Sequence, residues 1–150
     1  MKSIEWAREL AKKAHAGQVD KAGRSYFEHL EAVASSVQTE DEKKLAYLHD
    51  IVEDTDYDLK DLYHIGCEKY ILVAIDSLTK KKGQDYTEYL KGVRSNPLAR
   101  VVKLADLKHN SDLSRLEKVT PKDLERYEKY KRAIEFLEFK EQQTWTHGKN

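Results

Sequence analysis

Apolar residues recur at three- and four-residue intervals along nearly the whole chain, the period of helices that turn one face to a core. Ile4, Ala7, Leu10, Ala11 and Ala14 share a face, which predicts a first helix over about residues 3–15. Further helices are expected at about 28–37, 41–52, 59–64, 68–78 and 86–94. Thr39 is placed to cap the helix at 41–52, on which Leu45, Leu48, His49 and Val52 form one stripe. Asn96 before Pro97, and Thr120 and Asp123 around Pro121, mark two capped starts with proline at the first helical position. The first opens a helix through "LARVVKLADLKHN" and the second a long helix to about residue 139. Strands find little support, and only two prolines and six glycines interrupt the pattern. The expected fold is all-α, a single compact helical bundle over residues 1–140, with 141–150 a loose tail in which Trp145 is able to dock.

Two connections stand out. "AGQVDKAGRSYFEH", residues 16–29, carries two glycines and mixed charge and reads as a loop of about a dozen residues, long enough to have a function. "TKKKGQ", with Lys80 to Lys82, reads as a solvated basic loop. No internal repeat, low-complexity segment or interdomain linker is visible.

Composition narrows the function classes. The chain has 150 residues, one domain's worth, and a domain of that size buries about two thirds of the surface its unfolded chain exposes. With 27 basic and 27 acidic residues the formal net charge is zero, so no global field recruits nucleic acid or an anionic membrane. Any anion site must be local. The single cysteine, Cys67, allows no internal disulfide and suits a reducing compartment; it reads as a packed small hydrophobe. No signal-peptide pattern follows the amino terminus, and "YILVAI" at 70–75, among the longest apolar runs, is far too short to span a bilayer. A soluble, cytoplasmic protein is expected.

The chemistry concentrates in "YLHDIVEDT", residues 47–55. His49 and Asp50 are adjacent, and Glu53 and Asp54 follow one turn later, so on one continuous helix both pairs project from overlapping surface. A lone helix histidine is ordinarily hydrogen-bonded packing, and an acidic helix end ordinarily a solvated face. Four such groups beside an apolar stripe are costly to desolvate unless a cation offsets them. Imidazole and carboxylate together suit manganese, iron or zinc and can leave positions open for water. Further ligands must come from elsewhere in the chain. His29 follows the glycine-bearing loop, and Asp106 lies among Val101, Val102, Leu104 and Ala105, with Asn110 one turn on. His15, His64, His109 and His147 compete, His109 foremost because it neighbours Asn110.

These residues resemble the HD superfamily of metal-dependent phosphohydrolases, whose signature is the adjacent His-Asp pair. "AKKAHAGQVDKAGRSYFEHLEAVA", "AYLHDIVEDT", "DSLTK" and "NPLARVVKLADLKHN" occur in the order and approximate spacing of the hydrolase domain of the RelA/SpoT family and the small alarmone hydrolases. The resemblance covers roughly residues 4–130. It implies an HD-domain fold, metal ligands His29, His49, Asp50 and Asp106 with manganese as the ion, and a catalytic set of Glu53, Asp54 and Asn110. It further implies that Lys21, Asn110, Arg126 and Tyr130 meet the nucleotide. The implied reaction removes the 3′-pyrophosphate from guanosine tetra- or pentaphosphate.

This chain departs from the family pattern where Asp20 precedes Lys21 in place of an Arg-Lys pair, where "SYFEHL" at 25–30 lacks two prolines, and where Leu107 replaces a basic residue. Asp20 favours a second reading, a phosphohydrolase acting on a dinucleotide cofactor phosphate or a nucleoside triphosphate. A third is a non-catalytic nucleotide-binding module. Glu53, Asp54 and Asn110, none of which metal binding alone requires, speak against it.

Overall fold

The structure, a computed structural model, describes residues 1–138. Its helices are α1 (Ile4–Ala14), α2 (Tyr26–Ser35), α3 (Glu40–Leu48), α4 (Ile51–Asp54), α5 (Leu59–His64), α6 (Lys69–Leu78), α7 (Tyr86–Ser95), α8 (Pro97–Asn110) and α9 (Pro121–Glu138). A short 3-10 turn, Leu113–Arg115, joins α8 to α9. Among the described residues the only extended pairing is one antiparallel bridge, Val19 with Ser25. The all-α expectation therefore holds. No described helix is long and apolar enough to cross a membrane. The expectations for Trp145, His147, Phe139 and the tail 141–150 lie outside the described residues.

Capping residues set most boundaries. Ser3 accepts the Trp6 N–H before α1, Asn96 accepts that of Ala99 before α8, and Thr39 with Glu42 forms a reciprocal capping box at α3. Thr120 and Asp123 bond reciprocally at the start of α9. Two boundaries differ from expectation. Helix α2 begins at Tyr26 rather than residue 28, because the loop before it closes on itself and the Gln18 carbonyl accepts the Tyr26 N–H at 2.9 Å.

The second difference bears on the site. The helix expected to run to residue 52 stops at Leu48, and His49 and Asp50 form a turn before α4. The His49 ring Nδ1–H donates to the Ala46 carbonyl at 2.7 Å, the oxygen that a continuing helix would use for Asp50. Glu53 and Asp54 thus sit on a separate short helix, and Ile51 rather than Val52 takes the fully buried place.

Helix α3 packs against α1, α2, α6 and α8, while α8 packs against α2, α3, α6, α7 and α9. Ala11, Leu30, Leu45, Leu48, Ile75 and Val102 are among the residues buried between them. Burial pushes the Cys67 thiol up to about 11, so it is a packed hydrophobe rather than a thiolate. Lys44, also buried, reaches Glu68 at 2.7 Å and the Lys2 carbonyl at 2.9 Å.

Candidate metal centre and adjoining cavity

The crossing of α2, the α3–α4 turn and α8 brings His29, His49, Asp50 and Asp106 together, with one donor atom from each within 4.8 Å of the others. His29 comes from the first turns of α2 and Asp106 from the later part of α8. The His29 Nε2 lies 2.8 Å from Asp106 Oδ1; His49 Nε2 lies 3.1 Å from Asp50 Oδ2 and 3.4 Å from Asp106 Oδ1. His29, His49 and Asp106 are buried, and Asp50 nearly so.

This donor set fits a divalent cation. His49 spends its Nδ1–H on the Ala46 carbonyl, and among the described residues its buried Nε2 has no hydrogen-bond partner although two carboxylates stand beside it. A neutral imidazole presenting a lone pair to two carboxylates is repulsive unless a positive charge sits between them. Burial works against a charged His49, yet Asp50 and Asp106 more than reverse it and hold its pKa well above 6.5. Burial likewise opposes ionisation of Asp106, and Lys103 and His49 overcome it, keeping that carboxyl far below its usual range. The two carboxylates call for positive charge at this point, which a proton on His49 or a metal with imidazole and carboxylate ligands supplies.

Side chains behind the ligands hold their orientation. The Tyr26 hydroxyl donates to Asp50, Lys103 donates to Asp106 Oδ2 at 3.3 Å, and Asn110 Nδ2 donates to Asp106 Oδ1 at 3.2 Å. His29 Nδ1 meets His109 Nδ1 at 2.7 Å. Burial, the Arg115 cation and His29 push the His109 imidazole down to about 4. His109 is therefore behind His29 and outside the four-donor group. His15 is buried against Gln18, and His64 is exposed on α5; neither belongs to the group.

The acidic pair divides. Glu53 Oε1 accepts the Lys80 backbone N–H at 2.9 Å, tying α4 to the basic loop. Asp54 is exposed, and partial loss of water together with Asp50 and Glu53 pushes its carboxyl up to about 6. Gln18 fixes the end of that helix by donating to the Asp54 carbonyl at 2.9 Å, with His15 on its other side.

Tyr26 and Asn110, both in contact with the four-donor group, also line a cavity of about 270 Å³ that Lys21, Arg115, Arg126 and Tyr130 complete. Lys21 Nζ donates to the Tyr130 hydroxyl at 3.0 Å, while Arg126 donates to Asp123. Asp20 does not stand free in this wall. Its Oδ1 accepts the N–H groups of Ala22 and Arg24, and its Oδ2 pairs with Arg115 at 2.7 Å. The 3-10 turn that carries Arg115 was not expected, although Asp112 accepting the Ser114 N–H is a recognisable local signal. Tyr26, three residues before His29, and Lys103, three before Asp106, are helical neighbours of the ligands, and that spacing is their signal in the sequence.

Comparison with known proteins agrees with this architecture. No protein-family model matches the chain. A GTP pyrophosphokinase of Streptomyces coelicolor is 30% identical over 151 residues, a match that covers 92% of this chain and 17% of that protein's length. Among solved structures, one from work on a metazoan SpoT ortholog that hydrolyzes ppGpp and plays a role in starvation responses superposes with a TM-score of 0.70 at 22% identity. The superposition covers 90% of this chain and 85% of that one, so the two share a fold.

Proposed function

We propose that the chain is a divalent-metal-dependent phosphohydrolase that removes the 3′-pyrophosphate from guanosine tetra- or pentaphosphate, giving GDP or GTP and pyrophosphate. The observation that carries this reading is the buried His29, His49, Asp50 and Asp106 group adjoining, through Tyr26 and Asn110, a cavity lined by Lys21, Arg115 and Arg126 together with Asp20, Asp112 and Asp123. The shared fold with a protein that hydrolyzes ppGpp supports the substrate class. Manganese is the ion we assign; bound there, it would polarise a phosphoryl oxygen and acidify water.

The chain's own residues take the remaining roles. Asp54, whose carboxyl sits near 6, is the group we assign to receive the proton of the attacking water. Glu53, the other acid of the catalytic pair, is held in place by accepting the Lys80 N–H. Asn110 orients Asp106 and reaches the cavity. Lys21 and Arg126 supply local positive charge to a protein with none overall, and Tyr130 fixes Lys21. The reading with another nucleotide as substrate draws on Asp20 as an anion facing phosphate; Asp20 lines the cavity but is paired with Arg115, which weakens that reading.

The test incubates metal-loaded protein with guanosine tetraphosphate and a nucleotide panel, following pyrophosphate and orthophosphate separately. Pyrophosphate release that disappears in Asp50→Ala is the expected result. Turnover confined to another nucleotide overturns the substrate assignment, and metal binding without turnover of any nucleotide leaves a non-catalytic binding module.

A further inference from the structure

We propose that His109 is a positioning residue for the metal centre: it accepts the Nδ1–H of His29 and thereby leaves His29 Nε2 free to bind the ion. This rests on the metal-centre reading above and assigns a role to a histidine that the reaction does not otherwise use.

The two nitrogens of an imidazole lie on different edges of the ring, and a neutral ring carries one proton. In His29, Nε2 faces Asp106 at 2.8 Å and Nδ1 faces His109 Nδ1 at 2.7 Å. Two nitrogens that close share one proton, and the direction of sharing decides what Nε2 can do. If His109 donates, neutral His29 must carry its proton on Nε2, where it blocks a metal. If His109 accepts, the proton sits on His29 Nδ1 and the Nε2 lone pair joins the other three donors.

His109 cannot be a competing ligand in this arrangement, because it stands on the edge of His29 away from Asp106. The ring centroids are 4.9 Å apart, and His109 lies outside the four-donor group. The other outer contacts have fixed polarity. The Ala46 carbonyl behind His49 can only accept, and the Lys103 ammonium behind Asp106 can only donate. The contact with His109 is reversible by a tautomer change, so it ties the choice of tautomer at His29 to occupancy of the site. Outer partners of this kind characteristically change metal affinity by 10- to 100-fold.

The test compares wild type, His109→Leu and His109→Asn by calorimetric titration with Mn²⁺, together with nitrogen-15 imidazole shifts of the Zn²⁺-loaded wild type. The expected result is an affinity about 10- to 100-fold weaker for His109→Leu, near-wild-type affinity for His109→Asn, whose side-chain oxygen can accept in place of Nδ1, and a proton on Nδ1 of His29. Equal Mn²⁺ affinity in His109→Leu, or a proton on Nε2 of His29 in the loaded wild type, overturns the inference while leaving the metal centre intact. A wild type that binds no divalent ion overturns both. Thermal unfolding in chelator shows whether His109→Leu is folded; if it is not, the His29 tautomer in the wild type decides alone.

Discussion

Asp20 shows how little a residue's charge says before its neighbours are known. As a letter in the sequence it puts an anion where a phosphate should approach, and it pointed to a different substrate. In the fold both its oxygens are occupied: two loop N–H groups close the turn 20–24 on one, and Arg115 pairs with the other. Both partners are largely shielded from water, so removing one leaves the other as an uncompensated, poorly solvated charge. Introducing the usual cation should therefore harm the protein. Asp20→Arg is expected to lose about 2 kcal/mol of stability, the scale of lost hydrogen bonds to a charged group, and to set two guanidinium groups against each other. Urea denaturation measures this; an unchanged midpoint would mean that the clamp contributes nothing.

At the scale of elements, α3 was almost fully legible and its end was not. Thr39 caps the helix as the sequence implied, with Glu42 completing a capping box, and the apolar stripe faces the core. Thr39→Ala is expected to cost about 1 kcal/mol, seen as a lower unfolding midpoint, with Mn²⁺ affinity unchanged because Ala46 and not the cap holds His49. Weaker metal binding in that variant would show instead that the helix start is coupled to the site. The break at His49 and Asp50 escaped the periodicity, since helix propensity and apolar spacing both continue through residue 52. A side chain competing for a backbone carbonyl leaves no mark in a hydrophobic pattern. Its consequence is geometric: the turn sends His49 and Asp50 into the interior and carries the acidic pair on a separate helix, exposed to solvent.

For the whole molecule, the equal counts of positive and negative charge conceal local organisation. Lys44, 1% exposed, ties α3 to Glu68 at the start of α6 and to the Lys2 carbonyl. Burial opposes both charges, but their mutual hydrogen bond holds the Glu68 carboxyl below 4.5 and the Lys44 ammonium above 10.5. Glu68 therefore stabilises the fold above pH 4.5, and that contribution fades as the pH falls through its lower folded value; Lys44 stabilises below pH 10.5, and its contribution fades as the pH rises through its higher one. In Glu68→Gln both the acid loss and the alkaline loss should flatten, because the raised Lys44 value depends on Glu68, measured by denaturant unfolding against pH. Superimposable curves for variant and wild type would remove the pair from the pH dependence. The same division between local and distant information runs through the molecule. Helix positions, caps and the crowding at His49, Asp50, Glu53 and Asp54 were determined by sequence alone, because periodicity and capping act over three or four residues. That His29 and Asp106, 77 positions apart, meet beside His49 was decided only by the tertiary structure, as were His109 behind His29 and Arg115 against Asp20. Those contacts depend on how α2, α3 and α8 cross, and packing between helices distant in sequence is a property of the assembled core that no local spacing encodes.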